Sequence, residues 1–484
     1  MSPNIKGVIG GINRIQPPLG IAYLSSYLKQ NGHEVSIRDT AIEGYDNITH
    51  IDSKMCLIGE SVESIQSFLS INNPDVIGIS VLFANLMDGV HQICNIAKQV
   101  NPNVVICVGG NHITNVIRDY QIKMDDLRNI ANINIDYYFI GESEKTFCNF
   151  VLNKDLNGVC FWRDGKFVIN ENKNGFLDIS DLLKPDWESF NMEKYFSVGL
   201  FHSAQSYSNR VLPIMASRGC PEKCQFCTTP LTWGSKVRWT NVKRIYEEIK
   251  FGVEKFKIGE IQFQDDTLTA NLKHLYELCD FLDEFKLPWC TPNGIKVNYH
   301  QKNQFEMFSK MKKSGCYQTT FACESGSQRV LDEIVIKNIK VDSFRENIQK
   351  AKDAGLFVHT FWIVGFPGET KKEMELTIEE ASKSGADSFS LAIFNPLPGT
   401  YLYHKVKREN TWWNTEYNIL NMTYRNSLIK VDGFNSSEEF EVWVDKQNVY
   451  LNSILEKNDI TRYTNVRKNR GVMLRGDLNK IKQT

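Results

Sequence analysis

Two blocks of alternating short apolar runs and helix-length amphipathic stretches constrain this chain more than any other feature. In the first block, residues 5–10, 34–38, 75–81, 103–108 and 137–140 read as strands. Stretches 20–30, 86–100 and 142–152 between them read as helices. Strand–helix–strand repeats close as right-handed crossovers, so the block predicts a doubly wound parallel α/β sheet over residues 1–152. Ligands of such sheets lie beyond the carboxyl ends of the strands. The period lapses over residues 153–210, read as a linker strap with a hairpin at 161–168 turning on Asp164-Gly165. It resumes with strands expected near 211–216, 260–264, 289–292, 318–322, 358–364 and 388–393. Six repeats predict a partial (β/α)6 barrel over residues 211–404 rather than the closed eightfold one. Residues 405–484 are expected to form a small, mostly helical capping region, with an amphipathic helix at 436–456.

At 484 residues the chain can hold two or three domains with their own cores. A hydrophobic content of 42% and a charged content of 23% are ordinary for soluble proteins. The net charge of −1 leaves no basic footprint, so nucleic acid is not an expected partner. No run approaches about 20 apolar residues and the first residues carry no export signal, so no membrane span and a cytoplasmic location are expected. Of the 12 cysteines, Cys56, Cys94, Cys107, Cys148, Cys160, Cys279, Cys290, Cys316 and Cys323 are scattered through apolar or mixed segments. They read as small buried hydrophobes in a reducing compartment.

Cys220, Cys224 and Cys227 differ: they cluster just after the first strand of the second block, where βα loops carry chemistry. A [4Fe–4S] cube takes four ligands, so three thiolates on one loop would leave one iron open to chelate a small molecule. Zinc would want a fourth Cys or His at paired spacing, yet His202 lies upstream and the next histidine is His274. Further polar or Gly-rich segments follow later strands. Asp265 and Asp266 are paired carboxylates suited to metal or acid–base work. Glu324 reads either as a ligand-binding anion or as a charge at a helix N-terminus. Gly365 permits close backbone approach, and Asn395 sits in a Pro-rich rim. Gly109-Gly110, after the fourth strand of the first block, either admits a ligand or merely turns the chain.

Ser217-Arg218-Gly219-Cys220-Pro221-Glu222-Lys223-Cys224-Gln225-Phe226-Cys227 resembles the signature of the radical S-adenosylmethionine (SAM) enzymes, Phe226 being the aromatic before the third cysteine. The resemblance implies that the open iron is bound by the amino and carboxylate groups of SAM, and that reduction releases a 5′-deoxyadenosyl radical. It also implies SAM-side roles for Phe226, Asp265, Asp266, Glu324, Gly365 and Asn395. Arg238 occupies a family position too, as a structural pairing or a ligand contact. In the first block, Pro17-Pro18-Leu19-Gly20, Gly32-His33-Glu34-Val35, Asp75-Val76-Ile77-Gly78-Ile79-Ser80 and Gly141-Glu142-Ser143-Glu144 together resemble the cobalamin-binding domain of the cobalamin-dependent branch of that family. The cobalamin side would then comprise Pro18, Leu19, Gly20, Ser80, Gly109, Gly110, Gly141 and Glu142. No Asp-x-His-x-x-Gly occurs, so cobalt is expected to lack a histidine from that motif, with residues 80–85 as lower-face neighbours. His112 is read as structural or exposed, not as a ligand.

These readings imply an enzyme that methylates an unactivated carbon of a small-molecule biosynthetic intermediate. One SAM would supply the methyl of methylcobalamin and a second the 5′-deoxyadenosyl radical. An external electron donor of flavodoxin or ferredoxin type and a monomer or weak dimer are expected. Other outcomes are radical rearrangement, cyclisation, dehydration or dehydrogenation without methyl transfer. More remote are a non-catalytic cobalamin carrier or sensor and a simple iron–sulfur or zinc module. Trp412-Trp413-Asn414-Thr415-Glu416-Tyr417 reads as a cavity cap or as ordinary packing. Arg462, Arg467, Lys468, Arg470, Arg475, Lys480 and Lys482 against Asp477 read as a solvated end or an anion-binding tail.

Overall fold

The computed structural model describes residues 1–457 except 10–12, 53, 120–123, 174, 204 and 415–418. The basic tail and the last three residues of the segment 412–417 therefore lie outside the described residues.

The N-terminal part is α/β, but its parallel sheet is narrower than the periodicity predicts. Three short strands, β1 (Ile5–Val8), β2 (Ile48–His50) and β3 (Met55–Ile58), form a separate antiparallel sheet in the order β1-β3-β2. The turn into β3 is set by Asp52, whose Oδ1 accepts from the backbone N–H groups of Lys54 (2.7 Å) and Met55 (2.8 Å). β4 (Val76–Ser80), β5 (Val105–Gly109) and β6 (Tyr137–Phe139) pair in parallel. Helices Val62–Asn72 and Met87–Val100 cover one face of this sheet, where Ile65, Leu69, Val90 and Cys94 are buried. Helices Leu19–Gln30 and Glu144–Asn153 cover the other, with Phe147 and Phe150 packed on Phe139. Two expectations need correction. The strand expected at 5–10 pairs antiparallel, outside the main sheet. The segment 34–38 alternates like a strand but reaches only the chain's second residue: Ser2 N–H donates to Arg38 O, and a single bridge joins Ser2 to Asp39.

The expected hairpin exists as β7 (Val159–Arg163) and β8 (Lys166–Val168), with Asp164 and Gly165 at φ 49° and 73°. Successive positive φ values give the primed turn whose twist matches paired strands. The hairpin is not a free strap, since β7 pairs antiparallel with β6 and widens the sheet to five strands.

All six barrel strands are present. β9 (Val211–Ile214), β12 (Glu260–Phe263), β13 (Trp289–Ile295), β14 (Cys316–Glu324), β15 (Phe357–Val364) and β16 (Ser388–Ile393) form one parallel sheet in the order β16-β15-β14-β13-β12-β9. A two-stranded ribbon, β10 (Ser217–Arg218) with β11 (Arg238–Trp239), brackets the cysteine loop. The intervening helices are amphipathic and capped where the sequence supplies a cap. Asn241 accepts from Lys243 N–H at the start of Val242–Phe256, which buries Val242, Ile245 and Ile249. Thr370 and Glu373 form a reciprocal capping box on Lys371–Lys383. The C-terminal helix, Ser437–Lys457, packs Phe440, Val444 and Leu451 into the barrel's core. Trp412 is packing, 5% exposed and in contact with Tyr403. Among the described residues no helix is long and apolar enough to cross a membrane.

Candidate active site

The cysteine loop is held from three directions. From β12, Asp265 accepts from Ser217 Oγ (2.5 Å) and Ala216 N–H (3.1 Å), and Thr267 Oγ1 donates to Gly219 O (3.2 Å). From the loop after β14, Val335 O accepts from Gln225 N–H at 2.9 Å. From the helix after β16, Tyr401–Glu409, Leu402 N–H donates to Gln225 O at 3.1 Å. Gly219 itself has φ +101°, and a Cβ there would stand 2.3 Å from Lys236 O, so only glycine fits ahead of Cys220. Cys227 Sγ donates to Thr229 Oγ1 (3.3 Å), and Thr229 Oγ1 to Asp266 Oδ1 (3.4 Å). Phe226 packs on Phe366 with ring centroids 5.8 Å apart.

The triplet's chemistry fits an iron–sulfur cube. Cys220, Cys224 and Cys227 are half-buried, whereas the other nine cysteines are buried. Burial pushes the free thiols of Cys220 and Cys224 up to about 12, so the bare loop carries protonated sulfur. Only a cationic group bound there would hold three thiolates together. Among the described residues no three His, Cys, Asp or Glu side chains converge on a point as they would around a single ion. A cube spreads its thiolates over separate irons, unlike tetrahedral zinc.

One cavity of about 2000 Å³ joins the two halves of the chain. Pro18, Leu19, Gly20 and Ser80 line it, as do Gly109, Gly110, Gly141 and Glu142. From the barrel come Phe226, Asp266, Glu324 and Asn395. Asp265 and Gly365 do not line it. Asp265 is spent on the cysteine strand, and burial pushes its carboxyl up to about 7. Gly365 faces the C-terminal helix, where a Cβ would stand 2.8 Å from the Phe440 ring. Its N–H and that of Phe366 donate to Glu369 Oε2 at 2.7 and 3.0 Å.

The N-terminal wall of the cavity fits a large macrocycle. Leu82 and Phe83, in the loop after β4, are 49% and 58% exposed and line the cavity. Apolar surface of that extent calls for cover. A Cβ on Gly20 would meet nothing within 4 Å, leaving the floor flat. At φ +109° Gly110 turns the chain so closely on the end of β4 that a Cβ would stand 2.6 Å from Val81 O. His112 is buried and outside the cavity lining, and burial pulls its imidazole down to about 4.

Several contacts carry no mark in the local sequence. Glu142 Oε1 accepts from Arg218 Nη1 at 3.0 Å, and Glu142 Oε2 from Arg238 Nη1 at 2.7 Å. Glu144 Oε1 accepts from Arg218 Nη2 at 2.6 Å. Arg238 is thus a structural pairing. Glu324 neither caps a helix nor stands free; its carboxylate pairs with buried Lys337. Glu222, inside the cysteine loop, accepts from Lys296 Nζ (2.7 Å) and Tyr299 Oη (2.9 Å). His202 and Gln264 also line the cavity, Nδ1 of the first lying 3.0 Å from Oε1 of the second. Of these, Glu222, His202 and Gln264 are revealed as site groups only by contacts across long sequence separations.

Comparison with known proteins agrees with this arrangement. The model of the B12 binding domain matches residues 5–151, and that of the Radical SAM superfamily matches residues 201–381. The chain is 32% identical over 475 residues to cytidylyl-2-hydroxyethylphosphonate methyltransferase of Streptomyces wedmorensis, covering 90% of this chain and 86% of that relative. This chain belongs to the cobalamin-dependent radical SAM enzymes. The cofactors of this radical SAM enzyme are accordingly a [4Fe–4S] cluster, SAM and cobalamin. A second relative, anaerobic magnesium-protoporphyrin IX monomethyl ester cyclase of Rubrivivax gelatinosus, is 25% identical over 401 residues, 81% of this chain and 66% of the relative. Two solved structures share the fold. OxsB with aqua-cobalamin and SAM bound has a TM-score of 0.69 at 14% identity, over 94% of this chain and 70% of that one. TsrM of Kitasatospora setae, with tryptophan and a SAM analogue bound, has a TM-score of 0.64 at 12% identity, over 82% and 74%.

Proposed function

We propose that this radical SAM enzyme transfers a methyl group to an unactivated carbon of a small-molecule biosynthetic intermediate. When bound, the cluster with SAM supplies a 5′-deoxyadenosyl radical and cobalamin a methyl group carried on cobalt. The observation that carries the reading is the continuity of the cavity from Gly20 and Ser80 to Phe226 and Glu324. A substrate carbon there can be reached from both sides, which turns two encounters into one bound geometry.

The chain's own residues do the positioning. Arg218, between Glu142, Glu144 and the cysteine loop, fixes the cobalamin-side turn relative to the cluster side. Asp265 and Thr267 set the height of the loop on the barrel. Phe226, Trp362, Ile363 and Leu397 give the barrel wall an apolar lining that keeps water from a reactive carbon. The relative named for methylating a phosphonate nucleotide supports the methyl outcome. The proposal includes a cytoplasmic enzyme, monomeric or weakly dimeric, fed electrons by a flavodoxin or ferredoxin type donor.

The test is anaerobic turnover with dithionite, SAM, cobalamin and candidate substrates that include cytidylyl-2-hydroxyethylphosphonate. A product heavier by one CH2 supports the reading; an unchanged or lighter product overturns it. The similarity to a cyclase favours, as the second reading, a radical reaction without methyl transfer, which gives that lighter or unchanged mass. A carrier or sensor would cleave no SAM, and Cys224→Ala would leave it unaltered.

A further inference from the structure

We propose that the guanidinium of Arg425 anchors an anionic oxygen group of the substrate, a phosphonate, phosphate or carboxylate. The proposal rests on reading the shared cavity as the substrate chamber and adds the substrate's charge class. Arg425 lines that cavity and is half-buried. Among the described residues no carboxylate pairs with it; its guanidinium carbon lies 5.3 Å from the centre of the Tyr424 ring. Two other cations on the cavity wall, Lys6 and Arg218, are ion-paired. Lys6 lies 2.5 Å from Asp88 Oδ2, and Arg218 lies 3.0 Å from Glu142 Oε1. A guanidinium facing a partly desolvated chamber is best satisfied by an oxyanion, which its planar fork can hold through two hydrogen bonds.

Its place in the fold strengthens the inference. Ile419 and Met422 pack on Ala84, in the loop after β4 that faces the cobalamin side. Lys6 Nζ donates to Leu420 O at 3.2 Å. On the barrel side, Ile393 N–H donates to Tyr424 O (3.1 Å) and Asn395 Nδ2 to Thr423 O (2.6 Å), so the segment is tied to the end of β16. The segment therefore bridges the two walls between which the reacting carbon must lie. It is also held firmly. Asn426 Oδ1 accepts from Thr423 N–H (2.7 Å) and Oγ1 (2.9 Å), Asn426 Nδ2 donates to Asn421 O (3.0 Å), and Ser427 N–H donates to Glu441 Oε1 (3.0 Å). A cation on so braced a loop is preorganised and loses little freedom on binding.

The test is equilibrium binding of methylphosphonate and of acetate to the enzyme reconstituted with cluster, cobalamin and SAM, in parallel titrations. At least one anion is expected to bind saturably, about 10-fold or more weaker in Arg425→Gln, with Arg425→Lys intermediate. The cluster and cobalamin absorbances of each variant establish that it is folded and loaded. Preference for methylphosphonate assigns a phosphoryl or phosphonate group, preference for acetate a carboxylate, and equal binding a general oxyanion site. Failure of both anions to bind the parent enzyme, or binding indifferent to Arg425→Gln, overturns the proposal. Absence of 5′-deoxyadenosine formation by the parent enzyme would instead overturn the reading on which it rests.

Discussion

Arg218 Nη1 lies 3.0 Å from Glu142 Oε1, and both side chains are 2% exposed. The residue two places ahead of Cys220 is thus ion-paired to the Gly141-Glu142 turn of the N-terminal part. Glu144 takes the other arm of the guanidinium at 2.6 Å, and the Trp233 ring lies 4.7 Å from its central carbon. Arg218→Ala would strand buried Glu144 and leave Glu142 to Arg238 alone, at a cost of about 3–5 kcal/mol. Lys255→Ala, which removes a pair exposed by 56% on both sides, should cost less than about 1 kcal/mol. Urea denaturation of the two apoprotein variants compares them. Similar midpoints would show that the buried network does not hold the halves together.

Gly219 offers a sharper test of the loop. With φ +101° and a would-be Cβ 2.3 Å from Lys236 O, Gly219→Ala must shift the backbone ahead of Cys220. The strain is about 1–3 kcal/mol. Iron retained after anaerobic reconstitution should fall severalfold while the far-ultraviolet dichroism stays that of the parent. Full iron loading in this variant would contradict the account of the loop.

The cysteines divide into two classes by exposure, and substitution should follow that division. Cys224→Ala, in the half-buried triplet, should abolish the cluster's visible absorbance and 5′-deoxyadenosine formation. Cys279→Ala, 1% exposed inside helix Leu272–Phe285, should lower stability by about 1 kcal/mol and leave iron content intact. Iron and acid-labile sulfide assays distinguish the two.

Glu369 predicts a pH dependence of stability. Burial pushes its carboxyl up to about 8 from an ordinary 4.5, against the pull of two backbone N–H donors from Phe366 and Gly365. Folding therefore takes up a proton at this site between pH 4.5 and 8. Its contribution is full below the unfolded value and declines as pH rises through that window, by up to about 1.4 kcal/mol per pH unit. Glu369→Gln keeps an acceptor for both N–H groups and cannot ionise. The difference in apoprotein unfolding free energy between parent and variant should drift with pH in that direction; a flat difference would refute the assignment.

Much of the architecture is legible without coordinates, because it is written in local period. All six barrel strands follow from apolar runs flanked by amphipathic helices, and the cysteine triplet from its spacing after the first of them. Partner choice is not local in the same way. Segments 5–10 and 34–38 both read as strands of a parallel sheet, yet residues 5–8 pair antiparallel with β3 and the backbone of the second segment bonds to Ser2. Alternation specifies which face of a strand is buried, but not which neighbouring edge is free to receive it.

The chemistry divides along the same line. Spacing and context together pick out three sulfurs as candidate cluster ligands, since residues on one short loop are near neighbours whatever the rest of the chain does. Glu142 is a different matter: in the linear chain it is an acid after a glycine, and folding makes it the partner of Arg218, 76 residues away. The shared chamber and the place of Arg425 on its wall likewise arise only when distant segments meet. Charges far apart along a chain leave no periodic trace. Their energies come from distance and burial, which exist only once the two halves have closed on one another.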